Sequence, residues 1–155
     1  MTNLAEVTDV LRSHPFLRGL ESRLLGRLAE FAAPARFAEG AFLFREGEAA
    51  ASTYLVRAGR VSLEIDVPSR GPALVDTIGA GEVIGWSWLM APYRWHFDAR
   101  AVKPVEAVVL DGVRLRAACE ADHDLGYELG KRFLGLVTQR LERLRMQVLD
   151  VYKRP

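Results

Sequence analysis

A chain of 155 residues, half of them hydrophobic and 26% charged, is long enough to bury one core and leaves no room for a second domain, so residues 1-155 are expected to form a single unit. Twenty-one Lys and Arg against 20 Asp and Glu leave a net charge of +1, which excludes a long-range field able to gather nucleic acid or an anionic membrane. The one cysteine, Cys119, excludes an intramolecular disulfide, and without a basic start before an apolar run or any stretch of about 18 apolar residues the expectation is a cytoplasmic protein with no membrane span.

The chain opens helically. Leu4, Val7, Val10 and Leu11 recur at helical spacing as far as Ser13-His14-Pro15, where the residue before proline resists helical geometry and predicts a break. A second amphipathic run, Glu21 to Ala32, carries Leu24, Leu25, Leu28 and Phe31 on one face and ends before Pro34. Residues 1-33 thus read as a helical lead-in.

From Ala35 the period changes to two. Phe37, Phe42, Phe44, Tyr54, Val56, Val61, Leu63 and Ile65 fall in short runs separated by Glu39-Gly40, Gly47 and Ala58-Gly59, the punctuation of tight turns between antiparallel strands. The alternation from Val61 to Asp66 is clean, so one face should meet a core and the other water. Leu74 to Ile78 returns after Pro68-Ser-Arg-Gly-Pro72, and Val105 to Leu110 supplies a last strand. The expected fold is mainly β with flanking helices, an eight-stranded jelly-roll β-barrel over residues 34-110. The turn Gly79-Ala-Gly81 is not a dinucleotide fingerprint, because a third glycine at the required spacing and a long following helix are both missing.

Between these strands lies the densest stretch of the chain. Trp86 to Arg100 holds five aromatics, two arginines and a histidine. Each aromatic buries about 150–250 Å², so these residues must line a pocket, plug one, or pack on a core.

The chain turns helical again at Asp111, and residues 111-152 are expected to form C-terminal helices. Val113, Leu115 and Cys119 are placed inward on the first, and Asp122 and Asp124 sit where the second would want a cap and negative charge. Tyr127, Gly130, Leu134, Val137, Leu141, Leu144, Val148 and Val151 then step by three and four, the spacing of a coiled-coil seam. Homodimerisation through Leu134, Val137, Leu141, Leu144, Val148 and Val151 is the expectation; the alternative is a long helix lying on its own domain. Gly126, Gly130 and Gly135 each weaken such a helix by roughly 1 kcal/mol relative to alanine, which close packing would explain.

Taken together, the two short helices, Phe44-Arg-Glu-Gly-Glu48, Tyr54-Leu-Val-Arg-Ala-Gly-Arg-Val61, Gly79-Ala-Gly-Glu-Val-Ile-Gly85 and the terminal helix resemble the cyclic nucleotide-binding domain of the catabolite-activator (Crp/Fnr) type of bacterial regulator. The resemblance runs from about Phe16 to Val151. It implies a cassette in which a glycine, a glutamate and following amides begin a short helix, the glutamate taking the ribose hydroxyl and a later arginine pairing with the cyclic phosphate. Here the glycine is Gly85, but the glutamate position holds Trp86. Counting back from Arg100-Ala101, which fit the end of the cassette, Trp95 stands at the arginine position and His96 follows it, with Arg94 one place off. A one-residue shift on a strand points a side chain to the opposite face. Removing one partner of a buried charge pair costs about 2–5 kcal/mol, so ordinary cAMP or cGMP binding is expected to be absent or very weak.

Three readings of the pocket stay open. It is a sensor for a small anionic or aromatic ligand, with Trp86, Trp88, Tyr93 and Trp95 as walls, Gly85, Ser87 and the amides after Gly85 at its floor, and Arg94, His96 and Arg100 as donors. Alternatively, the tryptophans fill it and leave a protein-interaction module, or it is a genuine cyclic-nucleotide receptor using Arg94. If ligand and dimer helix remain coupled as in relatives, Leu144, Arg145 and Met146 are expected at the pocket mouth. Catalysis and metal binding are not expected: His14, His96 and His123 are far apart in sequence, a lone histidine among aromatics reads as a packed residue, and Ser87 lacks a nucleophile elbow. No cofactor is expected. Family members that regulate genes carry a helix-turn-helix domain after the dimer helix; the sequence ends at Pro155, and its late arginines and the tail Lys153-Arg154-Pro155 are interleaved with Glu142 and Asp150, so direct nucleic-acid contact is not expected.

Overall fold

A computed structural model describes residues 3–153; Arg154 and Pro155 of the basic tail lie outside them. Helix α1, Leu4–Ser13, is capped by Asn3, whose side chain accepts from the Glu6 amide. It ends where Pro15 forbids continuation, and a single 3₁₀ turn, Pro15–Leu17, follows. Helix α2, Ser22–Ala29, buries Leu24, Leu25 and Leu28 but stops earlier than the amphipathic run suggested. Ala32 already belongs to strand β1, Ala32–Phe37. Pro34 is tolerated there because β1 is an edge of the sheet.

The remaining strands are β2, Phe42–Phe44; β3, Ser52–Val67; β4, Gly71–Gly79; β5, Val83–Ile84; and β6, Asp98–Asp111. They form one antiparallel sheet in the order β1-β6-β3-β4, with β2 on β6 and β5 on β3. Among the described residues there are thus six strands, not the expected eight. The main reason is Ala58-Gly59, read as a turn, which is instead a bulge inside the 16-residue β3, where the pairing with β6 shifts register. Gly59 has φ +98°, and a Cβ there would stand 2.1 Å from the Pro104 carbonyl oxygen. Gly59→Ala should therefore lower stability by about 2–4 kcal/mol through strain and overpacking; a urea midpoint equal to that of the parent would contradict the bulge.

Alternation along the strands sorts side chains between two cores. Tyr54, Val56, Val61, Leu63, Ile78, Ile84 and Ala99 pack together on one side. Leu55, Val83, Val108 and Leu110 point the other way, against Leu11, Leu25 and Leu28 of α1 and α2 and against Leu115, Leu129 and Phe133 of the two C-terminal helices. Helix α3 is Gly112–Ala121 and α4 is His123–Lys153. Leu115 is buried in α3, but Val113 is 52% exposed rather than inward.

His14 stitches the helical lead-in to the sheet. Its Nδ1 accepts from the Phe16 amide at 3.2 Å and its Nε2 lies 3.0 Å from the Val56 carbonyl, a pattern only the neutral Nε2–H tautomer satisfies. Burial holds its pKa below the usual 6.5. The unfolded chain therefore takes up the proton first, and stability must fall as pH drops below about 6.5, until the folded histidine also titrates. His14→Gln should flatten this limb in urea unfolding followed from pH 8 to 5; an unchanged slope would show that other groups set it.

Candidate functional site

Residues 93–95 run antiparallel to the Gly47–Ala50 turn. The Gly47 amide donates to the Trp95 carbonyl at 2.9 Å, the Trp95 amide to the Glu48 carbonyl at 3.0 Å and the Ala50 amide to the Tyr93 carbonyl at 2.8 Å. This extended pairing sends neighbouring side chains to opposite sides. Arg94 points out: it is exposed, and its Nη1 donates to the Gly47 carbonyl at 3.1 Å. Trp95 points in, 3% exposed, among the residues of the inner core. Its ring stacks on Phe44 with centroids 3.7 Å apart and planes 9° from parallel.

Gly85 explains how the indole fits. It follows β5 with φ +101°, and a Cβ there would lie 2.6 Å from the Trp95 ring, so only glycine leaves the space that the indole edge fills. Thr53 Oγ1 donates to the Gly85 carbonyl at 2.9 Å and fixes the peptide. The cassette helix implied by the resemblance is reduced to a turn: Leu89 bonds back to the Trp86 carbonyl at 3.0 Å and Met90 to that of Ser87 at 3.3 Å.

The other candidates scatter. Ser87 is buried, and Trp88 is fully buried in the helical core, not the inner one. Trp88 meets Phe133 edge-on at 5.4 Å and packs so closely on Gly112 that a Cβ there would come within 2.7 Å. Trp86 is half-buried beside the same core. Arg100 forms a two-pronged pair with Glu64 at 2.9 and 3.0 Å, and this hydrogen bond holds the Glu64 carboxyl below the usual carboxylate range. His96 is exposed rather than packed among aromatics. Of the eight candidates, only Gly85 and Trp95 are in contact within the inner core.

Helix α4 has two faces. Leu125, Leu129, Phe133 and Arg140 are buried and Leu136 packs beside them on the domain. The seam lies on the other face, with Tyr127 67%, Leu134 67%, Leu141 63%, Leu144 41%, Val148 55% and Val151 68% exposed, and Val137 partly covered. Close packing accounts for Gly126, where a Cβ would stand 2.9 Å from the Cys119 carbonyl oxygen, but not for Gly130 or Gly135, which have open space. Nor do Leu144, Arg145 and Met146 reach the cassette, since all three are exposed. The residue that does is Arg140, one turn earlier, its guanidinium 5.1 Å from the Trp86 ring centre.

The sequence places Phe44 on a strand and Arg140 on a solvated helix face, and marks neither as a site residue. Nothing in Phe42-Leu-Phe44 distinguishes the ring that meets Trp95. Arg140 had a signal, because Leu125, Leu129, Phe133, Leu136 and Arg140 step by four, four, three and four, a second stripe beside the seam.

Residues 34–122 match the family model described as the cyclic nucleotide-binding domain. No curated protein matches the chain. Among solved structures, a Geobacter metallireducens GS-15 protein named for cyclic nucleotide binding is 30% identical with a TM-score of 0.79, over 86% of this chain and 97% of that one. The N-terminal domain of a Streptomyces coelicolor transcriptional regulator is 24% identical with a TM-score of 0.67, over 90% and 95%. A Trypanosoma brucei regulatory subunit, named as part of a cAMP-independent protein kinase A and carrying three substitutions, one of them to arginine, is bound to cAMP; it is 21% identical with a TM-score of 0.74, over 94% and 51%. With more than half its length in the family model and the fold of the 30% identical Geobacter protein shared over 86% of the chain, this chain belongs to the cyclic nucleotide-binding domain family.

Proposed function

We propose that this chain is a non-catalytic regulatory module whose nucleotide pocket is filled by its own side chain, so that it acts through protein contacts rather than as an ordinary cAMP or cGMP receptor. The observation that carries the reading is Trp95, buried against Phe44 and Gly85 at the place where the family's resemblance puts a phosphate-binding arginine. The neighbouring arginine offers no substitute while its guanidinium rests on the Gly47 carbonyl outside the core.

The contact surface we propose is the exposed stripe of α4, closed by a second copy to give a homodimer. No helix among the described residues is long and apolar enough to cross a membrane, and we propose a cytoplasmic setting without direct nucleic-acid contact. Titration calorimetry with cAMP and cGMP at millimolar concentration tests the pocket. No saturable heat is expected; a micromolar dissociation constant for either nucleotide would refute the filled pocket and make the chain a second-messenger receptor.

A further inference from the structure

The bulged stretch of β3 begins at Arg57. On either side of it Val56 pairs with Ala107 and Ala58 with Glu106, so Arg57 is the extra residue with no partner position on β6, and a bulge of this kind re-aims the side chain it carries. Val56 faces the inner core. Arg57 instead borders two recesses of about 160 Å³ each beside α1, which adjoin because both also touch Val10. Val7, Pro34 and Val108 complete the first, and Ser13 and His14 belong to the second. We propose that this surface, separate from the Trp95 pocket and from the α4 seam, docks an acidic peptide segment of a partner protein, with an aliphatic side chain in the apolar recess and neighbouring carboxylates on Arg57.

Charge carries the proposal. Arg57 is exposed, and among the described residues no ion pair joins it to the acids of the neighbouring elements. Asp9 pairs instead with Arg12 at 2.7 Å and Glu106 with Arg36 at 3.4 Å; Glu6, exposed on α1, pairs with nothing. His14, the other titratable residue at the recesses, is held neutral by burial, and the positive charge of Arg57 acts in the same direction. The cationic surface continues along the strand, where Arg60 and Lys103 are cross-strand partners, both exposed and neither in an ion pair among the described residues. Like charges directly opposite each other destabilise a sheet, a cost that an anionic partner would relieve.

The shape selects a peptide over other anions. Apart from Arg57 the first recess is lined by apolar residues alone, and Leu4, one turn before Val7 and 59% exposed, extends the apolar strip. Each recess is well below the roughly 300 Å³ at which pockets for whole metabolites begin, so the first suits one aliphatic side chain. A net charge of +1 supplies no long-range field to hold a nucleic acid or a membrane, whereas a local arginine beside an apolar hollow matches a carboxylate next to a leucine or valine.

The test pans a random dodecapeptide library displayed on phage against the whole chain. Selected sequences are expected to set Leu, Ile or Val close to Asp or Glu. A fluorescein-labelled copy of the most enriched peptide is then titrated by anisotropy. Its affinity should fall about tenfold in Arg57→Glu and should fall also in Pro34→Glu, which sets a carboxylate at the apolar recess. It should weaken with added salt and stay unchanged in Arg70→Glu, a control at an exposed arginine of the β3–β4 turn. Amide shifts on binding should map to α1 and residues 56–58. Because Arg57 is exposed, its variant should keep the parent's urea midpoint, and it decides the matter alone if Pro34→Glu fails to fold. The proposal is overturned if no acidic and aliphatic sequence is enriched or if Arg57→Glu binds the peptide as the parent does. It is equally overturned if the parent binds phosphatidylserine vesicles or a DNA duplex through Arg57 and selects no peptide. None of these outcomes bears on cAMP, which the calorimetry above tests alone.

Discussion

Trp95→Ala is expected to lower the stability of this domain by about 3–5 kcal/mol, the range for deleting a large buried aromatic. In a chain of this size that corresponds to a melting temperature lower by roughly ten degrees. The expectation rests on three contacts that no smaller side chain keeps: the stack on Phe44, the edge against Gly85, and burial among Tyr54, Val61 and Ile84. A surface tryptophan at the same place would cost far less.

The variant also separates filling from recognition. Opening the cavity provides volume but neither the ribose acceptor nor the phosphate arginine, so Trp95→Ala should still not bind cAMP. Free indole, by contrast, matches what was removed. It should raise the variant's melting temperature in proportion to ligand occupancy of the folded state and leave the parent unaffected. A loss below about 1 kcal/mol, or the absence of any rescue by indole, would mean that the ring does not fill the core as described.

How far this site was legible in the sequence depended on the element. Counting back from Arg100-Ala101 placed Trp95 and Arg94 on opposite sides, and the pairing of residues 93–95 with residues 47–50 shows the same sidedness. Sidedness is readable there because an extended segment leaves no freedom in which side a residue faces. Gly59 was misread because a glycine that ends a strand and one that bulges it look alike until the partner strand is known. Here the partner is Pro104, 45 positions further on. The same limit hid Phe44, whose stacking partner is set by tertiary packing rather than by local pattern. In α4 the periodicity was real but incomplete, because the seam stood out as leucine and valine while the inward stripe ended in an arginine, a residue that pattern reading assigns to solvent. Trp86, Trp88 and Arg100 share a short stretch of sequence, but a turn after Gly85 and the alternation of β6 send them to different surroundings.

In the proposed homodimer, Leu134→Glu combined with Leu141→Glu should separate the two copies. In the protomer these side chains are 67% and 63% exposed, so the substitutions remove no contact within the domain and its near-UV circular dichroism should not change. What they remove is an apolar stripe of Leu134, Leu141 and Val148 flanked by Val137, Leu144 and Val151, spaced as a two-helix seam requires. Fully burying each leucine is worth roughly 1.5–3 kcal/mol, and a two-fold interface counts every substitution twice. Four buried carboxylates facing one another would add repulsion, so the dissociation constant should rise by at least a thousandfold, about 4 kcal/mol. Light scattering coupled to gel filtration at tens of micromolar should give twice the chain mass for the parent and the chain mass for the variant. A monomeric parent would leave the stripe to a different partner. A variant that stayed dimeric would place the interface elsewhere, and the inward face of α4, held to β4 by Arg143 on Asp76, would then be the helix's only packed surface.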